Sequence, residues 1–69
     1  MNQKEYEIIA GVIRGRKQNA LDSLHFGYTQ EQVDGWLLTI ADLQDMMAYE
    51  LSQEYSTFDR DKFLKACEV

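Results

Sequence analysis

Catalysis by a side chain of this protein would rest on one imidazole, His25, and one thiol, Cys67. A thiol becomes a nucleophile when a base such as histidine activates it, and no histidine lies near Cys67 in the sequence. Cys67 reads instead as a small apolar residue of a C-terminal helix. His25 reads as an imidazole placed favourably at a helix C-terminus, in a capping role. With one copy of each there is no Cys/His set of zinc-site spacing, and the sequence has no glycine-rich loop to cradle phosphate. The expectation is a protein with no catalytic residue, no metal site and no cofactor.

What remains is recognition by charge. Between Gln18 and Phe58 there is no lysine or arginine, yet that stretch holds Asp22, Glu31, Asp34, Asp42, Asp45, Glu50 and Glu54. The bases sit outside it, chiefly as Arg14, Arg16 and Lys17 on one side and Arg60, Lys62 and Lys65 on the other. Glu31, Asp34, Asp42 and Asp45 could attract a divalent cation, but they follow no calcium-loop spacing. The formal charge of −5 argues against nonspecific affinity for nucleic acid or an anionic membrane, both of which need a basic excess.

These residues must be positioned by helices. Proline is absent, and apolar residues recur at helical rather than alternating spacing. Asn2 with Glu5 forms a capping-box pattern. Tyr6, Ile9, Ala10, Ile13, Ala20, Leu21 and Leu24 then share one face of a helix predicted over about 3–26. Gly11 and Gly15 weaken it by roughly 1 kcal/mol each relative to alanine. Their small-xxx-small spacing would suit close helix approach. Gly27 fits the left-handed position after a helix, with Tyr28 packing back on its last turn. Thr29 with Gln32 opens a second helix, predicted over about 30–55. Its core face would be Val33, Trp36, Leu37, Ile40, Leu43, Met47, Leu51 and Tyr55. A third helix over about 60–67 starts at Asp59, with Phe58 and Phe63 in hydrophobic-staple positions. Phe63, Leu64 and Cys67 are its predicted buried residues.

Two long helices joined by a short link make an antiparallel hairpin. The fold class is thus all-α: one domain over 1–69, with the third helix folding over the open end of the hairpin. Side-by-side pairing would place Arg14 near Asp42 and Lys17 within reach of Asp42 or Asp45, ion pairs that fix register more than they stabilise. On the second helix Glu31, Asp34, Asp42 and Asp45 share an edge with Leu38 and Tyr49. This mixed acidic and apolar stripe suits docking to a partner. On the first helix Ile8, Ile9, Val12 and Ile13 make an apolar face wider than one neighbour needs. A chain of this length has a marginal core. The expectation is a homodimer with a four-helix core, self-associating through those four residues.

The segment from Ile40-Ala-Asp-Leu through Phe58-Asp-Arg-Asp-Lys-Phe-Leu-Lys-Ala-Cys67 resembles a recurrent pattern in small proteins encoded by phages and prophages. The opening Tyr6-Glu-Ile-Ile-Ala-Gly-Val-Ile-Arg14 is similar to their usual start. Such proteins generally carry no assigned function. The chain departs from the pattern at Ser56-Thr57, where a proline is common, and at Glu68, where a glycine is common. Both departures bear on how the third helix is entered and left. The resemblance implies an accessory protein acting in a bacterial cytoplasm. The polar, acidic start of the chain does not read as a signal peptide, and no apolar run approaches the roughly 20 residues of a membrane span.

The function expected is a non-enzymatic interaction module that presents the acidic and apolar stripe to a host protein. One alternative is a nucleic-acid-binding dimer using Arg14, Arg16 and Lys17 with Arg60, Lys62 and Lys65. The other is a purely structural or assembly role.

Overall fold

The structure, a computed structural model, describes residues 2–69. The elements are α1 (Gln3–Asp22), a single 3-10 turn (Ser23–Phe26), α2 (Gln30–Glu54) and α3 (Arg60–Ala66). The described residues contain no strand. The all-α hairpin with a short C-terminal helix is therefore the fold.

Each helix starts where its sequence provides a cap. The Asn2 side chain accepts from the Glu5 N–H at 3.0 Å, and the Glu5 carboxylate accepts from the Asn2 N–H at 3.1 Å. α1 runs unbroken through Gly11 and Gly15, then tightens into the 3-10 turn four residues before the predicted end. The Ser23 hydroxyl donates to the Asn19 carbonyl at this transition, the local side-chain bonding that competes with a regular helix end. Gly27, at φ 93°, takes the left-handed conformation that costs glycine nothing. The Tyr28 N–H closes the turn on the Ser23 carbonyl at 3.3 Å. Thr29 and Gln32 cap α2 reciprocally, as Asn2 and Glu5 cap α1. Asp59 accepts from the Lys62 N–H at 3.0 Å to begin α3. The Phe58 and Phe63 rings stand 5.4 Å apart across that cap, which is the staple.

α3 does not close the end of the hairpin as predicted. It lies along one side, touching both long helices. The staple and the short link after Tyr55 turn Phe63 and Cys67 inward, where they are buried with Ala10, Ile13 and Ala48. The Tyr6 ring meets Phe58 edge-on at 4.7 Å, extending this cluster to the start of α1. The remaining buried residues, Ala20 and Val33, sit toward the hairpin turn. Apart from Ile13 and Phe63, the buried set consists of small side chains, which permit close helix approach and contribute little burial energy each.

Docking α3 on one side rotates the buried arc of α2. Ala48 is fully buried, while Trp36 and Leu43, both predicted as core, are exposed. Leu24 on the 3-10 turn is also exposed. Tyr28 packs edge-on against Trp36 at 5.0 Å, so it covers the start of α2 rather than the end of α1. No side chain or foreign backbone lies within 4 Å of a Cβ built on Gly11 or Gly15. The glycine pair therefore mediates no close approach inside the protomer.

The molecule is long and thin, 43 × 18 × 13 Å. Its radius of gyration is 13.3 Å, against roughly 11 Å for a compact domain of this length. Its accessible surface is 5086 Å², where a compact monomer of this mass exposes roughly 4,500 Å².

Candidate functional site

Two surfaces of α2 carry exposed apolar side chains, and they point in different directions. The first is the acidic stripe. Asp34, Leu38, Asp45 and Tyr49 follow one another at spacings that keep them on one edge of a helix, with Glu31 and Asp42 alongside. All six are exposed. Leu38 is 67% and Tyr49 54% exposed, so a leucine and a phenol ring stand free among four carboxylates. Asp34 accepts a hydrogen bond from the Gln30 side chain at 2.7 Å, which holds its carboxylate against the first turn of α2. The helix is unbroken over these positions and capped at its N-terminus, so the stripe follows one regular helical edge.

The second surface is the side of the hairpin that α3 leaves bare. Here α1 contributes Ile8 and Val12, 61% and 64% exposed, while Ile9, half-buried, packs against the core cluster. Ile13, the fourth residue predicted for self-association, is buried in the protomer core beneath α3. α2 contributes Leu43 and Trp36, while Met47, half-buried, packs against the core cluster. At the hairpin-turn end a shallow groove of about 280 Å³ runs between the two helices, lined by Arg16, Asn19, Ala20, Trp36 and Ile40. A larger cleft of about 390 Å³ lies between the N-terminal turn of α1 and α3, lined in part by Tyr6, Thr57, Asp59 and Phe63.

The basic cluster of α1 is dispersed. Lys17 turns into the protein, where its ammonium donates to the Gln44 side chain and to the Cys67 carbonyl, and not to Asp42 or Asp45 as predicted. The charges of Arg14 and Lys17 both act on the Cys67 thiol, which places them on the α3 side. Arg16 lies on the opposite face, in the groove with Trp36. Arg60, Lys62 and Lys65 are exposed on α3. Cys67 itself is fully buried, and burial pushes its thiol above the ordinary value of 9.0, opposed by Lys17 and Arg14. A buried, protonated thiol is inert. His25 is exposed in the 3-10 turn.

Among the described residues no three carboxylate, imidazole or thiol groups converge where they could hold a metal ion. No described helix is long and apolar enough to cross a membrane. Comparison of the chain with protein-family models, with curated proteins and with solved structures finds no match.

On α2, Trp36 and Leu43 are the surface residues that the helical pattern assigned to the core. A signal was present. The apolar positions of α2 occupy too wide an arc for one antiparallel neighbour, so some had to face away from it.

Proposed function

We propose that the protein is a non-enzymatic interaction module that binds a basic site on another protein through the acidic stripe of α2. The observation that carries this reading is the exposure of Leu38 and Tyr49 among Glu31, Asp34, Asp42 and Asp45. Carboxylates steer a basic partner and set orientation, while a desolvated leucine and tyrosine supply the affinity. The resemblance of the Tyr6–Arg14 and Ile40–Cys67 segments to phage-encoded proteins supports a bacterial host protein as partner and the bacterial cytoplasm as the setting. Dispersal of Arg14, Arg16 and Lys17 speaks for a protein partner over nucleic acid, because a phosphate backbone needs its cations along one face.

The test places a photo-cross-linking amino acid at position 38 or 49 in bacterial cells, with position 62 on α3 as the control. The expected result is a discrete protein adduct at 38 and 49, absent at 62 and lost when Asp42→Lys and Asp45→Lys are combined. Equal adducts at all three positions, or adducts unaffected by the charge reversal, overturn the assignment.

A further inference from the structure

The spacing of the stripe on α2 limits the shape of partner that can follow it. Glu31, Asp34, Leu38, Asp42, Asp45 and Tyr49 recur at intervals of three and four residues and lie within about 80° of the helix circumference. The band is therefore one side chain wide and runs lengthwise. α2 itself has no lysine, arginine or histidine. Among the described residues, the side-chain hydrogen bond to these carboxylates is the one Asp34 accepts from the neutral Gln30 amide. The nearest cations are engaged elsewhere: Lys17 donates to Gln44 and to the Cys67 carbonyl, and Arg16 lies in the groove with Trp36.

Pitch decides between an extended and a helical occupant. From Glu31 to Tyr49 the stripe rises about 27 Å at 1.5 Å per residue, in five steps of about 5.4 Å. Side chains on one face of a strand recur every 6.8 Å or so, and five such steps cover about 34 Å. A strand laid along the stripe is thus a whole side chain out of step at the far end. A second helix has the same pitch and keeps its side chains in step throughout. Charge decides the rest. Another α2 would set acid against acid, and a nucleic-acid backbone would set phosphate against acid.

We infer that the stripe seats a basic amphipathic α-helix of the partner protein, docked lengthwise on α2. Its lysines or arginines alternate with apolar residues at the same three- and four-residue spacing. The cations meet Glu31, Asp34, Asp42 and Asp45, while the apolar side chains pack on Leu38 and Tyr49, which stand exposed between them. Recognition of this kind is helix against helix, with charge selecting the partner and apolar contact holding it. The inference rests on the reading of the stripe as the seat of a basic protein site, and it specifies the form of that site.

The test titrates the full chain into two fluorescent synthetic peptides of equal length and composition, built from lysine, leucine, alanine and glutamine. In the first, lysine and leucine recur at three- and four-residue spacing, the period of a helix; in the second they occupy every other position, the period of a strand. The two carry the same charge, so the comparison isolates shape. The helical-period peptide should bind about tenfold tighter or more and gain helical circular dichroism on binding. Combined Asp42→Lys and Asp45→Lys should abolish that binding, and Leu38→Ser should weaken it. Val12→Ser, on the side left bare by α3, should leave it unchanged. These four changes fall on exposed positions, and circular dichroism of each variant alone checks its folding. Equal binding of both peptides, still lost on charge reversal, overturns the helix and leaves the basic-site reading standing. Binding that survives the charge reversal overturns the stripe as the seat. Absence of binding by either peptide overturns the helix, and the cross-linking at positions 38 and 49 then decides the broader reading alone.

Discussion

The Lys17 ammonium donates a hydrogen bond of 3.1 Å to the backbone carbonyl of Cys67, tying the middle of α1 to the end of α3. The same nitrogen donates to the Gln44 side chain of α2, so one cation joins all three helices where the core is built from small residues. The carbonyl it satisfies belongs to the last turn of α3, where helix carbonyls lack intrahelical partners and the helix dipole favours a positive charge.

Replacing this ammonium with an apolar group of similar length should loosen α3 before it unfolds the hairpin. Lys17→Met keeps the stem and its packing but leaves the Cys67 carbonyl and the Gln44 amide without their donor. A half-buried charge-assisted bond of this kind is worth about 1–2 kcal/mol. The expected result is a fall in unfolding free energy of that size, with amide exchange accelerating first in Phe63–Cys67. Unchanged exchange in α3 would show that the staple and the buried Phe63 hold it alone.

Cys67 makes stability depend on pH in one direction. Burial raises the folded thiol above its ordinary value of 9.0, while the unfolded thiol ionises near that value. Below it both states hold the proton and the contribution is intact. As the pH rises through 9.0 toward the folded value the unfolded state loses the proton first, and stability falls. Unfolding followed from pH 7 to pH 10 should show a steeper loss for the natural sequence than for Cys67→Ala. The comparison between the two chains isolates the contribution of the thiol from that of every other group. At pH 8 the thiol should react with an aromatic disulfide reagent only as fast as α3 opens.

The features legible in the sequence were local ones. Asn2, Thr29 and Asp59 each mark a helix start with a side chain that reaches a backbone N–H within three residues. Gly27 marks the turn by a conformation other residues avoid. These signals involve neighbours along the chain and survive whatever the tertiary packing does. Orientation of α3 was not legible, because a short helix with a staple at its entrance can lie across an end or along a side. The outcome depends on which surface accepts Phe63 and Cys67. Once they found Ala10 and Ala48, the buried arc of α2 turned with them. That released Trp36 and Leu43 to the surface and enclosed Ala48, an alanine whose burial no apolar period announces. Lys17 was misread for a related reason: charge pairing names the nearest carboxylate, whereas the side chain went to uncharged acceptors where three helices meet. The acidic stripe was legible because it depends only on spacing within α2.

Gly15 offers a stability test that separates helix propensity from packing. It lies in the interior of α1, on an exposed position, with open space where a Cβ would stand. Its backbone is helical and its φ is not positive, so nothing in its conformation requires glycine. In such a setting alanine reduces the freedom of the unfolded chain and favours the helix by about 1 kcal/mol. Gly15→Ala should therefore raise the unfolding free energy by that amount, and with it the denaturation midpoint, with the helical signal unchanged. A midpoint that stays put or falls would mean that the added methyl group meets something the protomer alone does not present at this position.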